Sequence, residues 1–310
     1  MALPEDTCSR KGIPVLDLCE AVDMNCRVLG RHDRVAHRPA SLDNACAGTI
    51  AFCGWSGEDA REHISRSAAS VIICTPEAGS LDCSSGKTLL LVARPRLAFI
   101  RIMRRFFAPW QPVGIHPSAA VHRDARIGQD VHIGPFTYVG RAEIGDGTII
   151  DGHVHIHDGV RIGRNCTVQA NAVIGACGFG LERNEDSEFE EFPHIGGVHI
   201  GDDVLVSSGV VIARGTMDDT EIGSGTKIDA LAEISHNVVI GPDCGVCASV
   251  VIAGSVRIGA RTWVSCGACL RNGVRVGSDA CIGMGAVVTG DVLEGVTVYG
   301  VPAREVGPDR

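Results

Sequence analysis

The chain has 310 residues, enough for one large domain or two ordinary ones, with 39 glycines, 4% aromatic residues and a formal net charge of −9. That acidity argues against general nucleic-acid binding. No apolar run reaches the roughly 18 residues of a membrane span, and the N-terminal MALPEDTCSRKGIPVL lacks a signal pattern, so a cytoplasmic protein is expected. The 14 cysteines lack the spacing of a small secreted scaffold and read as reduced thiols at small-residue positions.

Residues 1–110 form the first predicted unit. Within it, ASVIIC (69–74) and TLLLVA (88–93) read as strands, and PRLAFIRIMRRFF (95–107) reads as a helix with one apolar and one arginine-rich face. Pro109, Pro112 and Gly114 mark a junction. A repeat then takes over. Ile144, Ile150, Ile156, Ile162, Val168 and Ile174 are six residues apart, and the same step runs from Ile222 through Ile228, Ile234 and Ile240 to Val288. A period of six fits neither a helix nor an ordinary strand. It predicts a mainly β protein, a hexapeptide β-helix spanning 111–292, in which three six-residue units make one coil. Coils stack at about 4.8 Å, which places residues 18 apart above one another. The repeat breaks between Ile174 and Ile200, where residues 176–199 form an acidic insertion, and again between Ile212 and Ile222. It fades near Val288, leaving 293–310 as a tail.

SLDNACAGTIAFCG, LLLVARPRLAFIRIMRRFF, VIGACGFG, IARGTMDDT and KIDALAEISHNVVIG, spread over residues 40 to 290, resemble the UDP-3-O-acylglucosamine N-acyltransferases. The resemblance implies a left-handed coil, which the periodicity does not, since crossovers are otherwise right-handed. It also implies a uridine-binding first domain and a homotrimer with active sites between subunits. Further, it implies a nucleotide-linked amino sugar as acceptor, a thioester as co-substrate, and neither a metal nor a bound cofactor.

His236 follows the interior Ile234 by two places and should point outward. The matching HNV motif makes it the general base, and Asn237 a substrate-site neighbour. An amine attacking a thioester must lose a proton, and neutral imidazole suits that task. Gly254 lies 18 residues on, one coil above. The resemblance makes its N–H the oxyanion donor; alternatively it simply turns a corner. Asp229 is the expected partner of His236, with Asp218 and Asp219 as rivals and a solvated acidic corner as the plain alternative. Gly178, Phe179 and Gly180 match a family loop near the site, Phe179 either lining the pocket or anchoring the insertion. Phe52 matches an aromatic that stacks on uracil, unless it is core. A second family aromatic would fall at Glu58, a departure for which Trp55 is the candidate replacement.

Two metal readings compete. Cys244, Cys247, Cys266 and Cys269 have zinc-ribbon spacing, yet the aliphatic register runs through them undisturbed. His153, His155 and His157 alternate as in a metal-dependent hydratase on this scaffold, although the intervening corner should splay the rings. A β-helix used only for assembly would leave His236 unexplained. The donor is expected to be acetyl-CoA, because GAVVTGDVLEGVTVYGVPA (285–303) resembles sugar acetyltransferases and the family's helical extension and late histidine are missing, the latter replaced by Arg271-Asn272-Gly273-Val274. The alternative donor is an acyl carrier protein thioester. Arg94, Arg96, Arg101, Arg104 and Arg105 would then attract the acidic carrier, or else form a solvated face.

Overall fold

The computed structural model describes residues 12–22, 25–79, 86–108 and 113–306. The N-terminal eleven residues, Pro109 and Pro112 of the expected junction, and the last four residues of the tail lie outside them. The chain divides into two compact units, Met1–Trp110 and Gln111–Arg310.

In the first unit, a five-stranded sheet runs in the order Arg27–Leu29, Thr88–Leu91, Val71–Cys74, Thr49–Phe52, Arg38–Pro39, parallel throughout except for its first pair. Val71–Cys74 and Thr88–Leu91 are buried along their whole length, which accounts for their unbroken apolar sequence. The predicted helix forms over Pro95–Ile102, with proline in its first turn, and loosens into a π turn over Met103–Phe107. Of its arginines, Arg101 donates to Val22 O (2.5 Å) and Arg105 lies over the Phe106 ring. Two cysteines depart from the expectation of free thiols. Cys19 and Cys26 form a disulfide with a Cα–Cα distance of 5.8 Å, because the helix Val15–Val22 and the strand Arg27–Leu29 bring them together.

The second unit is a left-handed parallel β-helix whose strands of two to four residues stack into three faces. One face runs from Arg126–Ile127 to Arg275–Val276 and is charged outside: Arg126, Glu143, Arg161, His199, Glu221, Arg257 and Arg275. A second runs from Ala120–Val121 to Val287–Val288, and its outward residues include Tyr138, Val173, Val211 and Val251. A third, mixed face runs from Gly114–Ile115 to Thr297–Tyr299. Register is kept by the six-residue step: Ile228 pairs with Val246, and Ile234 with Ile252. The repeating aliphatics fill the interior; Ile150, Ile156, Ile174, Ile228, Ile234, Ile252 and Leu270 have no exposed surface. Each such residue contributes about 1.5–3 kcal/mol.

One interior row is polar and self-satisfying. Thr226 Oγ1, Cys244 Sγ and Thr262 Oγ1, 18 residues apart, donate to the carbonyls of Gly241 (2.9 Å), Gly259 (3.0 Å) and Gly277 (2.9 Å). Cys244 therefore fills a small interior position as expected, and so does Cys166. The coil outlasts its sequence repeat, because Thr297–Tyr299 still stacks on Cys281–Ile282 before pairing back against Arg304–Val306.

Candidate active site

Both breaks in the repeat fall on one edge of the β-helix, where the apolar face turns into the charged one. Residues 177–197 leave between Val173–Ala176 and Val198–Ile200, and residues 214–219 leave between Val211–Ala213 and Thr220–Ile222. The next three corners up the same edge are 235–238, 253–256 and 271–274, which carry His236, Gly254 and Asn272. The insertion is a hairpin of Leu181–Arg183 with Phe189–Glu191, and its base is tied down by Asp219. That carboxylate accepts from Gly197 N (2.7 Å) and from Arg161 Nη2 (2.6 Å).

His236 is half-buried at its corner, and its tautomer is settled by the neighbouring amide. Asn237 Oδ1 accepts from Thr216 N (3.2 Å) and Thr216 Oγ1 (2.9 Å), while Asn237 Nδ2 donates to the Asp218 carbonyl (3.3 Å). With the amide so oriented, His236 Nδ1–H donates to Asn237 Oδ1 (3.0 Å), so that in the neutral ring the lone pair is on Nε2. Asn237 can do this because its corner needs a φ of +61°, which asparagine tolerates. Nε2 points at Gly254: a Cβ there would lie 2.8 Å from it.

Gly254 N–H has no partner among the described residues, which follows from its place in the coil. Pro117, Pro135 and Pro242 hold the equivalent second position of their corners, where no ladder bond needs an N–H. The edge thus presents an imidazole nitrogen beside a backbone donor with no partner among the described residues. That pairing can take a proton from a nucleophile and stabilise the oxyanion the attack creates.

A second imidazole, which the sequence reading passed over, stands behind the first. His194, at the end of the insertion, is 6% exposed and packs edge-on against His236 with ring centroids 5.2 Å apart. Its Nδ1–H donates to Phe192 O (2.8 Å), and its Nε2 is buried without a partner among the described residues. Gly178 makes room for both rings, since a Cβ there would come within 2.8 Å of His194 Nε2 and 2.9 Å of His236 Cδ2. Gly180 backs His194 similarly. The glycines of the CGFG segment thus pack against the two imidazoles. Phe179, 87% exposed, does not anchor the insertion.

The acidic candidates do not meet His236 within the chain. Asp229 is exposed and accepts from its own neighbour, Ala230 N (2.8 Å). Asp218 contributes its carbonyl rather than its carboxylate, and Asp219 is engaged with Arg161 and Gly197. The orienting role falls instead to Asn237. Beside it opens a cleft of about 740 Å³ lined by Met217, Asp218, Glu221, Asn237, Ser255 and Arg257, among others.

In the first unit, Phe52 is half-buried against core residues with its ring 5.1 Å from Phe99. Trp55, 45% exposed, stacks on His63 at 4.0 Å. Glu58 stands in the first turn of Gly57–Arg66.

The histidine strand differs from expectation in one respect. His155 and His157 do not splay; their rings lie 4.3 Å apart, tilted by 35°. His153 turns away to stack on Phe136. The four spaced cysteines are likewise divided between interior and exterior. Burial, with Cys266 adjacent, pushes the Cys247 thiol up to about 11. No group of three or more potential metal ligands converges among the described residues.

The bacterial transferase hexapeptide profile matches residues 141–176 and 219–254, and a hexapeptide repeat of succinyl-transferase matches 194–214. The profile of UDP-3-O-(3-hydroxymyristoyl) glucosamine N-acyltransferase, LpxD, matches residues 33–105. Among solved structures, the UDP-N-acetylglucosamine O-acyltransferase of Moraxella catarrhalis is similar with a TM-score of 0.58 and 26% identity, over 62% of this chain and 74% of that one. The corresponding Bacteroides fragilis acyltransferase gives 0.57 and 30%, over 63% and 74%. Fold and site together define a hexapeptide-repeat acyltransferase.

The UDP-3-O-acylglucosamine N-acyltransferase of Coxiella burnetii is 32% identical over 76% of this chain and 73% of its own length. That of Anaeromyxobacter dehalogenans is 34% identical over 69% and 66%. The chain belongs to the UDP-3-O-acylglucosamine N-acyltransferase family. These comparisons favour the alternative reading of its function over the expected acetyl transfer, and they give acetyl-CoA no support. No helix among the described residues is long and apolar enough to cross a membrane.

Proposed function

We propose that the protein transfers an acyl group from an acyl carrier protein thioester to the amine of UDP-3-O-acylglucosamine, with His236 as general base. The observation that carries this reading is the lone pair of His236 Nε2 directed at the gap over Gly254, beside a backbone N–H without a partner. In the reaction, the amine nitrogen attacks the thioester carbonyl and passes one proton to His236 Nε2. Gly254 N–H donates to the oxygen as it becomes negative. The C–S bond then breaks, and the proton returns from His236 to the departing sulfur, leaving amide and thiol. Asn237 keeps the imidazole in the accepting tautomer throughout.

The amino-sugar nucleotide is supported by the names of the relatives, and the carrier protein by a resemblance to that family that covers 76% of the chain. Phe52 and Trp55 are the candidate nucleotide contacts of the first unit, and Phe179 a candidate contact of the acceptor or acyl chain. The outward apolar row of the second face, with Tyr138, Val211 and Val251 each more than a third exposed, supports association into the homotrimer of the family. The experiment is a donor panel: hydroxyacyl carrier protein and acetyl-CoA, each offered with UDP-3-O-acylglucosamine and with UDP-glucosamine. Turnover is expected with the carrier protein and the 3-O-acylated acceptor. Turnover confined to acetyl-CoA contradicts the reading.

A further inference from the structure

We propose that Asn272 is a further catalytic residue, which holds the second hydrogen of the attacking amine and so selects nitrogen over oxygen as the nucleophile. Gly254 lies between two corners of the same edge, with His236 one coil below and Asn272 one coil above. A Cβ built on Gly254 would meet His236 Nε2 at 2.8 Å and Asn272 Oδ1 at 2.9 Å. Two hydrogen-bond acceptors therefore flank one small gap, which is open only because residue 254 has no side chain. A ligand nitrogen slightly further from the backbone reaches both.

The side chain of Asn272 is exposed, and it makes no hydrogen bond to another described residue. Elsewhere in the β-helix, an oxygen-bearing side chain at this place closes the corner beneath it. Asp158 Oδ1, on the same edge, accepts from Arg141 N (2.8 Å), and Asp146 Oδ1 accepts from Gln129 N (2.7 Å). Asn272 leaves Gly254 N–H free, so the donor stays available to the oxyanion and the amide oxygen to the nucleophile.

The two acceptors correspond to the chemistry of an amine. A neutral primary amine carries two hydrogens: the one on His236 Nε2 is transferred and ends on the sulfur, while the other, on Asn272 Oδ1, is retained in the amide product. With both hydrogens held, the nitrogen lone pair has one direction left, toward the carbonyl. A hydroxyl has one hydrogen, which His236 takes, and offers Asn272 nothing. An unpaired amide oxygen beside the reacting atom then disfavours the oxygen nucleophile.

The inference rests on His236 acting as the base in the reaction proposed above, and the test separates the two. Asn272→Ala, Asn272→Gln and His236→Ala are assayed with hydroxyacyl carrier protein on UDP-3-O-acylglucosamine and on its 2-hydroxyl counterpart, UDP-3-O-acylglucose. Asn272→Ala is expected to lower kcat on the amine roughly 10- to 100-fold. Asn272→Gln, which keeps an uncharged acceptor oxygen, should recover most of that loss, and transfer to the hydroxyl acceptor should not fall further in Asn272→Ala. Where wild type does not use the hydroxyl acceptor, the Ala-to-Gln contrast on the amine decides alone. Equal loss in the Ala and Gln variants, equal loss on both acceptors, or an unaffected Asn272→Ala each overturns the inference. An active His236→Ala removes the underlying reading and this inference with it.

Discussion

Gln129 and Gly254 hold the same place in their corners, on different edges of the β-helix, and are finished differently. At Gln129 the backbone N–H is met by Asp146 Oδ1 from the coil above, and at Arg164 by Asp202 Oδ1, both at 2.7 Å. At Gly254 the N–H meets no acceptor among the described residues, the coil below supplies an imidazole, and the coil above supplies an amide held clear of it. One set of corners closes the scaffold; the other spends no hydrogen bonds on it. A β-helix repeats its backbone so faithfully that a functional corner differs from a structural one only in the side chains it omits or leaves unpaired.

Filling the open corner should have the largest effect. Gly254→Ala puts a methyl within 2.9 Å of His236 Nε2, His236 Cε1 and Asn272 Oδ1 alike. Acyl transfer should fall by roughly 10²- to 10³-fold with the β-helix intact, because the close contacts are side chains that can retreat. Steady-state kinetics alongside circular dichroism check this; a variant with wild-type kcat would show that the gap is not where the chemistry occurs.

Opening a closed corner should do the reverse. Asp146→Ala removes the acceptor for Gln129 N at an exposed site, so unfolding should cost about 1 kcal/mol less, with kcat/KM unchanged. A denaturant titration reads the first and a rate assay the second. Lost activity here would blur the distinction between the two kinds of corner.

The smallest effect belongs to His157, lower on the same edge. Its pKa lies below the usual 6.5, chiefly through burial, with His155 and Arg214 adding to the shift and Asp158 opposing it. In the folded state it therefore releases its proton at lower pH than in the unfolded chain. Its contribution to stability is complete above about pH 6.5 and is lost as pH falls toward the folded pKa. Melting temperatures from pH 7 to pH 5 should decline less steeply in His157→Asn than in wild type. Identical slopes would remove the assignment.

How much of this was legible in the sequence divides along the same line. The period of six carries the scaffold because each interior aliphatic faces the same environment 18 residues on, and the breaks at 174–200 and 212–222 are legible as interruptions. That both breaks leave from one edge could be found by counting strands per coil. His236 was reached through its motif, and Gly254 by adding 18. Asn237 was named, but as a substrate neighbour rather than the residue that sets the imidazole tautomer. His194 was missed because the insertion has no register from which to place it. Asn272 was within reach: the step of 18 that led from His236 to Gly254 leads on to it, but the residue was treated only as a departure from a family pattern. The disulfide between Cys19 and Cys26 depends on how a helix end meets a strand, which spacing alone does not reveal.

The most direct test of the account is the rate of acyl transfer by His236→Ala, with fold and oligomeric state measured on the same sample. The imidazole is half-buried at a corner and carries little of the packing, so the variant should keep its circular dichroism spectrum and its size in solution. Transfer from hydroxyacyl carrier protein to UDP-3-O-acylglucosamine is expected to fall by roughly 10²- to 10⁴-fold, the usual contribution of a general base. A folded variant that turns over within a few-fold of wild type would contradict the assignment of His236 as the base.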